Sequence, residues 1–279
     1  MKPIVVFFCL LTLTSLFQSH SSFANNQTFS NNVSYGSLLK LPKYQPSKII
    51  SYGRDPLQFG ELWLPNTTNP ANPMVVLIHG GCWLKDYDIK HTHAASTALA
   101  QAGYIVWSIE YRRTGNTGGG WPGSFDDIKS AIRKAKTLPQ FKGKMVLMGH
   151  SAGGHLAVLA GQYFNRLRDK SIQKVIGLAP IIDVEQYAKG SNSCQKATPA
   201  FFGGPYASYK TYYDSANPMK QGFHPNTVMI HGDQDKIVPI SQSKNSKQKF
   251  VPVRNAGHFD MLHSKSYAWQ QILFTLRSR

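Results

Sequence analysis

Beyond residue 70 the chain alternates between short unbroken apolar runs and longer segments whose apolar positions recur every three to four residues. The runs fall near 74–79, 104–109, 144–149, 174–179, 226–231 and 249–253. Unbroken apolarity, as opposed to strict alternation, marks strands covered on both faces, as in a parallel sheet. The segments near 91–102, 125–137, 152–166, 241–248 and 264–276 read as helices. Two earlier runs, 48–51 and 59–64, read as an antiparallel pair. The pattern predicts an α/β fold, an open, mostly parallel, doubly wound sheet with helices on both faces. Such sheets bind ligands at the carboxyl ends of their strands.

Three stretches break this rhythm. Residues 25–47 are polar and punctuated by proline, and are expected to form an exposed N-terminal arm ahead of a domain at 48–279. Residues 115–123 are glycine-rich, but no Gly-Lys-Ser/Thr follows, so they are read as a mobile loop with Trp121 at its tip and not as a phosphate cradle. Residues 183–217 form a long insertion, expected to be a cap or lid. Its aromatics (Tyr187, Phe201, Phe202, Tyr206, Tyr212 and Tyr213) either line a pocket for an apolar acyl group or pack a small helical cap. The sequence leaves both open.

The start of the chain has a separate reading. Lys2 precedes an apolar run at 4–17, followed by polar residues and Ser22-Phe23-Ala24. This is the layout of a signal peptide over 1–24, cleaved near Ala24, and it implies a periplasmic or secreted protein. A membrane span needs about 20 apolar residues, more than this run supplies. The formal charge of the full chain is +17, and cleavage would remove only Lys2. A charge of this size permits contact with an anionic envelope surface. Dispersed basic residues, the lack of a nucleic-acid fold signature and export together argue against nucleic acid. Cleavage would leave Cys82 and Cys194. An oxidising compartment permits a bond between them, but sequence shows no proximity, and they are read as unlinked. No zinc spacing is present.

The chemistry is concentrated at strand ends. Gly149-His150-Ser151-Ala152-Gly153 follows one apolar run and opens a helical segment. This is a strand–turn–helix with a serine at its apex, and the flanking glycines give the room so sharp a turn requires. Upstream, His79-Gly80-Gly81-Cys82-Trp83 follows another strand. The backbone N–H groups of Gly81 and Cys82, with that of Ala152, are the expected oxyanion donors. Downstream, His231-Gly232-Asp233-Gln234-Asp235 and Asn255-Ala256-Gly257-His258 close the last two strands. His258 is expected to act as the base and Asp235 to orient it, while Asp233 braces the turn. Trp83, Trp121 and His150 are candidate substrate contacts. His91 and His93 are two apart and would point in different directions on a helix, against a metal site. Asp126 and Asp127, after Ser124, are read as helix N-terminal capping residues.

These motifs resemble those of the α/β-hydrolase family from about residue 48 onward. His79-Gly80-Gly81-Cys82-Trp83 together with the serine elbow resembles the esterase/lipase branch that holds kynurenine formamidases (arylformamidases) and feruloyl and acetyl-xylan esterases. The resemblance implies a Ser151–His258–Asp235 triad that needs no cofactor or metal and acts on a small-molecule ester or amide. A formamidase of tryptophan breakdown belongs in the cytosol, so the leader favours an envelope esterase. The competing readings are a prolyl-oligopeptidase-like peptide hydrolase and a non-catalytic envelope-binding protein on the same scaffold.

Overall fold

The computed structural model describes Met1, residues 29–67 and residues 69–278. The leader expected over 1–24 otherwise lies outside the described residues. The sheet has eight strands: β1 (Lys48–Ser51), β2 (Phe59–Trp63), β3 (Met74–Ile78), β4 (Val106–Ile109), β5 (Met145–His150), β6 (Ile172–Leu178), β7 (Thr227–Gly232) and β8 (Lys249–Val253). Their order is β1-β2-β4-β3-β5-β6-β7-β8. β1 and β2 pair antiparallel, β2 pairs antiparallel with β4, and every later pairing is parallel. This is the α/β-hydrolase fold, with the strand carrying the serine near the middle of the sheet.

The helices are α1 (Tyr35–Leu39), α2 (His93–Gln101), α3 (Gly123–Ala135), α4 (Ala152–Arg166), α5 (Val184–Tyr187), α6 (Ser193–Phe202), α7 (Tyr206–Ser215), α8 (Pro218–Gln221), α9 (Ser241–Lys244) and α10 (Tyr267–Arg277). β3, β5 and β7 are buried along their whole length, as their unbroken apolar runs predict. The core forms two layers. One, around Trp107, Ile128, Leu156 and Phe202, lies under α3, α4 and the cap. The other, around Leu99, Ile176, Trp269 and Ile272, lies under α2 and α10.

Four expectations change. Helix α9 stops at Lys244, and Lys247 three residues on takes the left-handed φ of 58°, a conformation that a helix does not contain. Asp127 is not a cap. It is 1 % exposed, and its carboxylate accepts from the backbone N–H and guanidinium of Arg112 and from Gln58. The glycine loop packs against the cap, with the Trp121 N–H donating to the Phe201 carbonyl at 2.8 Å. The last part of the arm is docked: Leu38 and Leu41 are buried.

Residues 184–221 form the cap, helices α5 to α8. Tyr187, Phe201, Phe202 and Tyr213 are each at most 1 % exposed. Phe202 stacks on Tyr213 with ring centroids 3.9 Å apart, and Tyr206 meets Tyr213 edge-on at 5.4 Å. These aromatics form the interior of the cap and do not line a pocket.

Candidate active site

Ser151 has φ 56° and ψ −120°, in the left-handed half of the map that non-glycine residues avoid at a cost of about 1–3 kcal/mol. Three constraints hold it there. Its N–H donates to the Leu178 carbonyl at 2.9 Å on the neighbouring strand. A Cβ on Gly149 would sit 2.1 Å from the Gly153 oxygen, and one on Gly153 would sit 2.2 Å from the Ile78 oxygen. Side chains at either position would force the turn open. The elbow therefore depends on both glycines, and it presents the serine at the carboxyl end of β5.

The loop after β3 carries similar strain. Gly81, Cys82 and Trp83 have φ of 104°, 54° and 58°. Two features fix this left-handed run, and both come from α6. Cys82 forms a disulfide with Cys194 across a separation of 112 residues, with the Cα atoms 5.1 Å apart. The Trp83 indole is fully buried and stacks on Phe201 at 4.8 Å. Two expectations are corrected here. The cysteines are linked, because the cap folds Cys194 back over the end of β3. Trp83 does not line the cavity, because its left-handed backbone turns the indole into the core. Among the described residues, the N–H groups of Gly81, Cys82 and Ala152 donate to no protein acceptor. A Cβ on Gly80 would sit 3.0 Å from the Ser151 Cβ, so the loop lies directly against the elbow.

The loops after β7 and β8 are pressed together, since a Cβ on Gly232 would lie 2.1 Å from the Ala256 oxygen. This contact brings Asp235 to His258. The Asp235 side chain is fully buried, and its Oδ2 lies 2.7 Å from His258 Nδ1 and 3.1 Å from His231 Nε2. Its Oδ1 accepts the N–H groups of Ile237 and Val238 at 2.8 and 2.9 Å. Burial alone would raise the Asp235 carboxyl, but His258 and His231 hold it far below the usual carboxylate range. An ionised carboxylate can only accept, so Nδ1 of His258 donates in this hydrogen bond and Nε2 is the ring nitrogen left to exchange a proton. Asp233 accepts the Asn255 N–H at 2.8 Å and braces the turn. Sequence reasoning gave His231 no role, although its i,i+4 spacing to Asp235 was visible.

Ser151 and His258 line one cavity of ≈ 230 Å³ with Gly81, Cys82 and His150. One wall is formed by Cys194, Asn192 and Ser193 of the cap with Ile237; the other by Tyr35, Tyr87, His91 and Phe259. His150 is 2 % exposed, and its ring lies 4.5 Å from that of His258. Its Nε2 donates to the His258 carbonyl at 3.0 Å, which fixes the loop carrying the imidazole. Burial and the adjacent His258 hold His150 well below the ordinary histidine value, so it is neutral. Trp121 is not at the cavity. It stacks on Phe125 at 5.4 Å and meets Phe201 and Phe202 beneath the cap. Sequence reasoning missed Tyr35, Tyr87, His91 and Phe259, which carry no local motif.

A serine at a strained elbow, backbone N–H groups without protein acceptors beside it and a carboxylate-bound histidine share one cavity of an α/β-hydrolase fold. The chain belongs to the BD-FAE family, whose model matches residues 61–250. It is 27 % identical over 258 residues to the esterase LipC of Mycobacterium tuberculosis, covering 80 % of this chain and 62 % of that protein. It is 26 % identical over 114 residues to the kynurenine formamidase of Danio rerio, covering 39 % of this chain and 36 % of that one. The chain thus spans less than two thirds of either relative. Esterase B from a Lactobacillus species shares the fold at TM-score 0.69 and 20 % identity, over 87 % of this chain and 88 % of that one.

Proposed function

We propose that the protein is an exported serine hydrolase of small carboxylic esters that works through an acyl-enzyme on Ser151. The observation that carries this reading is the meeting of the strained Ser151 and the Asp235-bound His258 in one cavity. In the first step, Nε2 of His258 takes the Ser151 proton as Oγ attacks the substrate carbonyl. The developing oxyanion is held by the N–H groups of Gly81, Cys82 and Ala152, donors fixed before the reaction begins. The protonated imidazole, stabilised by the Asp235 carboxylate, returns its proton to the leaving alcohol. Water activated by the same imidazole then releases the acid and frees the serine.

The esterase names of the relatives support the ester reading. The formamidase relative supports a second one, an aryl formamide, for which the same steps apply with an amine as leaving group. The disulfide supports export, since such bonds persist in oxidising compartments. The charge of +17 supports contact with an anionic envelope surface, testable by salt-sensitive binding to phosphatidylglycerol liposomes.

The deciding experiment for the chemistry is labelling by a fluorophosphonate, together with turnover of vinyl acetate, a feruloyl ester and N-formylkynurenine. Wild type should be labelled on Ser151, and Ser151→Ala should neither label nor turn over. Turnover retained by Ser151→Ala would sink the proposal. The preferred substrate separates ester from formamide.

A further inference from the structure

Tyr35 belongs to the arm, far in sequence from every motif above, yet it lines the same cavity as Ser151 and His258. Its ring lies 6.0 Å from that of Tyr87, 5.9 Å from that of His91 and 5.5 Å from that of Phe259. Phe259 in turn lies 5.2 Å from the His258 imidazole. One wall is therefore a run of rings from the half-exposed Tyr87 down to the imidazole at the floor. Two polar atoms in this wall lack protein partners among the described residues. The buried Nδ1 of His91 has none, and no hydrogen bond involves the Tyr35 hydroxyl.

A five-residue helix such as α1 cannot hold itself in water, so its place must come from contacts outside it. The carboxylate of Asp260 supplies them. It accepts the N–H groups of Asn32 and Val33, each at 2.9 Å, and that of Gly257 at 3.0 Å. The arm is thus fastened to the loop that carries His258. Contact is direct there, because a Cβ on Gly257 would lie 2.4 Å from the Asn32 side-chain oxygen. Further out, the Ser30 N–H donates to the Lys265 carbonyl at 3.0 Å, and Phe29 meets Tyr267 edge-on at 5.8 Å. A segment that served only to cover the core would need Leu38 and Leu41. It would not need to bring a tyrosine ring to the cavity wall.

We infer that residues 29–41 are part of the substrate site, with Tyr35 the specificity-determining residue against which an aromatic ring of the substrate packs. The inference deepens the serine-hydrolase reading and rests on it for the position of the reacting bond. Asp260 is a positioning residue in this scheme, since it acts through the arm and touches no substrate. A wall of rings set mostly edge to face, with a few unpaired polar atoms, suits an aromatic ring that carries a hydroxyl or carbonyl.

The test compares Tyr35→Ala and Tyr35→Phe with wild type on two esters, ring-free vinyl acetate and ring-bearing methyl cinnamate. Tyr35→Ala should lose about tenfold more kcat/KM on the ring-bearing ester than on the ring-free one, mainly through KM. Tyr35→Phe should recover most of that difference. Equal losses on both esters, or none, would overturn the inference while leaving the serine chemistry standing. Binding decides the matter without turnover. Calorimetry of methyl cinnamate on Ser151→Ala should show about tenfold weaker affinity when Tyr35→Ala is added, and unchanged affinity would overturn the inference. Absence of labelling at Ser151 in wild type would instead be a failure of the hydrolase reading.

Discussion

The two walls of the cavity are fixed by different means. The cap wall is tied covalently, by Cys82–Cys194, and reinforced by Trp83 stacked on Phe201. The arm wall is held by two hydrogen bonds to one carboxylate, one backbone bond from Ser30 to Lys265 and a few apolar contacts. The difference follows what each wall carries. Cys82 lies inside the left-handed run whose N–H groups are the proposed oxyanion donors, where a small displacement would weaken the stabilisation of developing charge. The arm carries rings that meet the substrate away from the reacting bond, where looseness costs selectivity before rate. A strained segment needs a strong tether, and a packing segment can do with a weaker one.

The largest expected effect lies at the floor, which both walls share. Asp235→Asn should lower kcat by about 10⁴-fold with the fold intact, whereas Asp233→Asn, which loses only a turn brace, should stay near wild type. Circular dichroism with steady-state kinetics checks both, and a larger loss at Asp233 would transfer the orienting role to it. Next comes the cap wall. Cys82→Ser with Cys194→Ser should lower unfolding stability by about 2–4 kcal/mol and reduce kcat more than it raises KM. Denaturant titration and kinetics with and without reductant would show this. A variant that kept full kcat would show that Trp83 alone holds the donors.

Asp260→Asn is expected to act on the other wall. It keeps the side-chain shape but turns one oxygen into a donor group, so at least one N–H of the Asn32, Val33 and Gly257 set loses its acceptor. The expected result is a loss of about 1–3 kcal/mol and a selective rise in KM for ring-bearing esters. Faster amide exchange confined to residues 30–41 would separate release of the arm from general destabilisation. The last effect concerns pH. Burial first, and then neighbouring His79, push His91 down to about 3. The unfolded chain therefore binds a proton below about pH 6.5 that the folded chain refuses. Stability falls as pH drops from there toward 3. His91→Asn should flatten that slope by up to about 1.4 kcal/mol per pH unit, measured by denaturant midpoints between pH 6.5 and 4.

The elements that sequence reading located share one property: their signal is local. Unbroken apolar runs mark the buried strands, and paired glycines mark turns that no larger residue fits. The pressure of Gly149 and Gly153 on neighbouring backbone is the steric demand those glycines announce. Where reading went astray, the decisive partner was remote. Asp127 looks like a cap beside Ser124, but its partners are Arg112 and Gln58. Trp83 follows Gly81 and Cys82 and suggests a substrate contact until its backbone turns it into the core.

What the sequence determined by itself was the order of strands and helices and the residue types offered at each strand end, because these depend on neighbours a few positions away. What only the tertiary structure decided was which distant groups meet. Asn32 reaches Asp260 across 228 residues, Cys82 meets Cys194 across 112, and Tyr35 and His91 share a wall with His258. Such meetings are set by sheet order and by the packing of loops against one another. No periodicity along the chain encodes either.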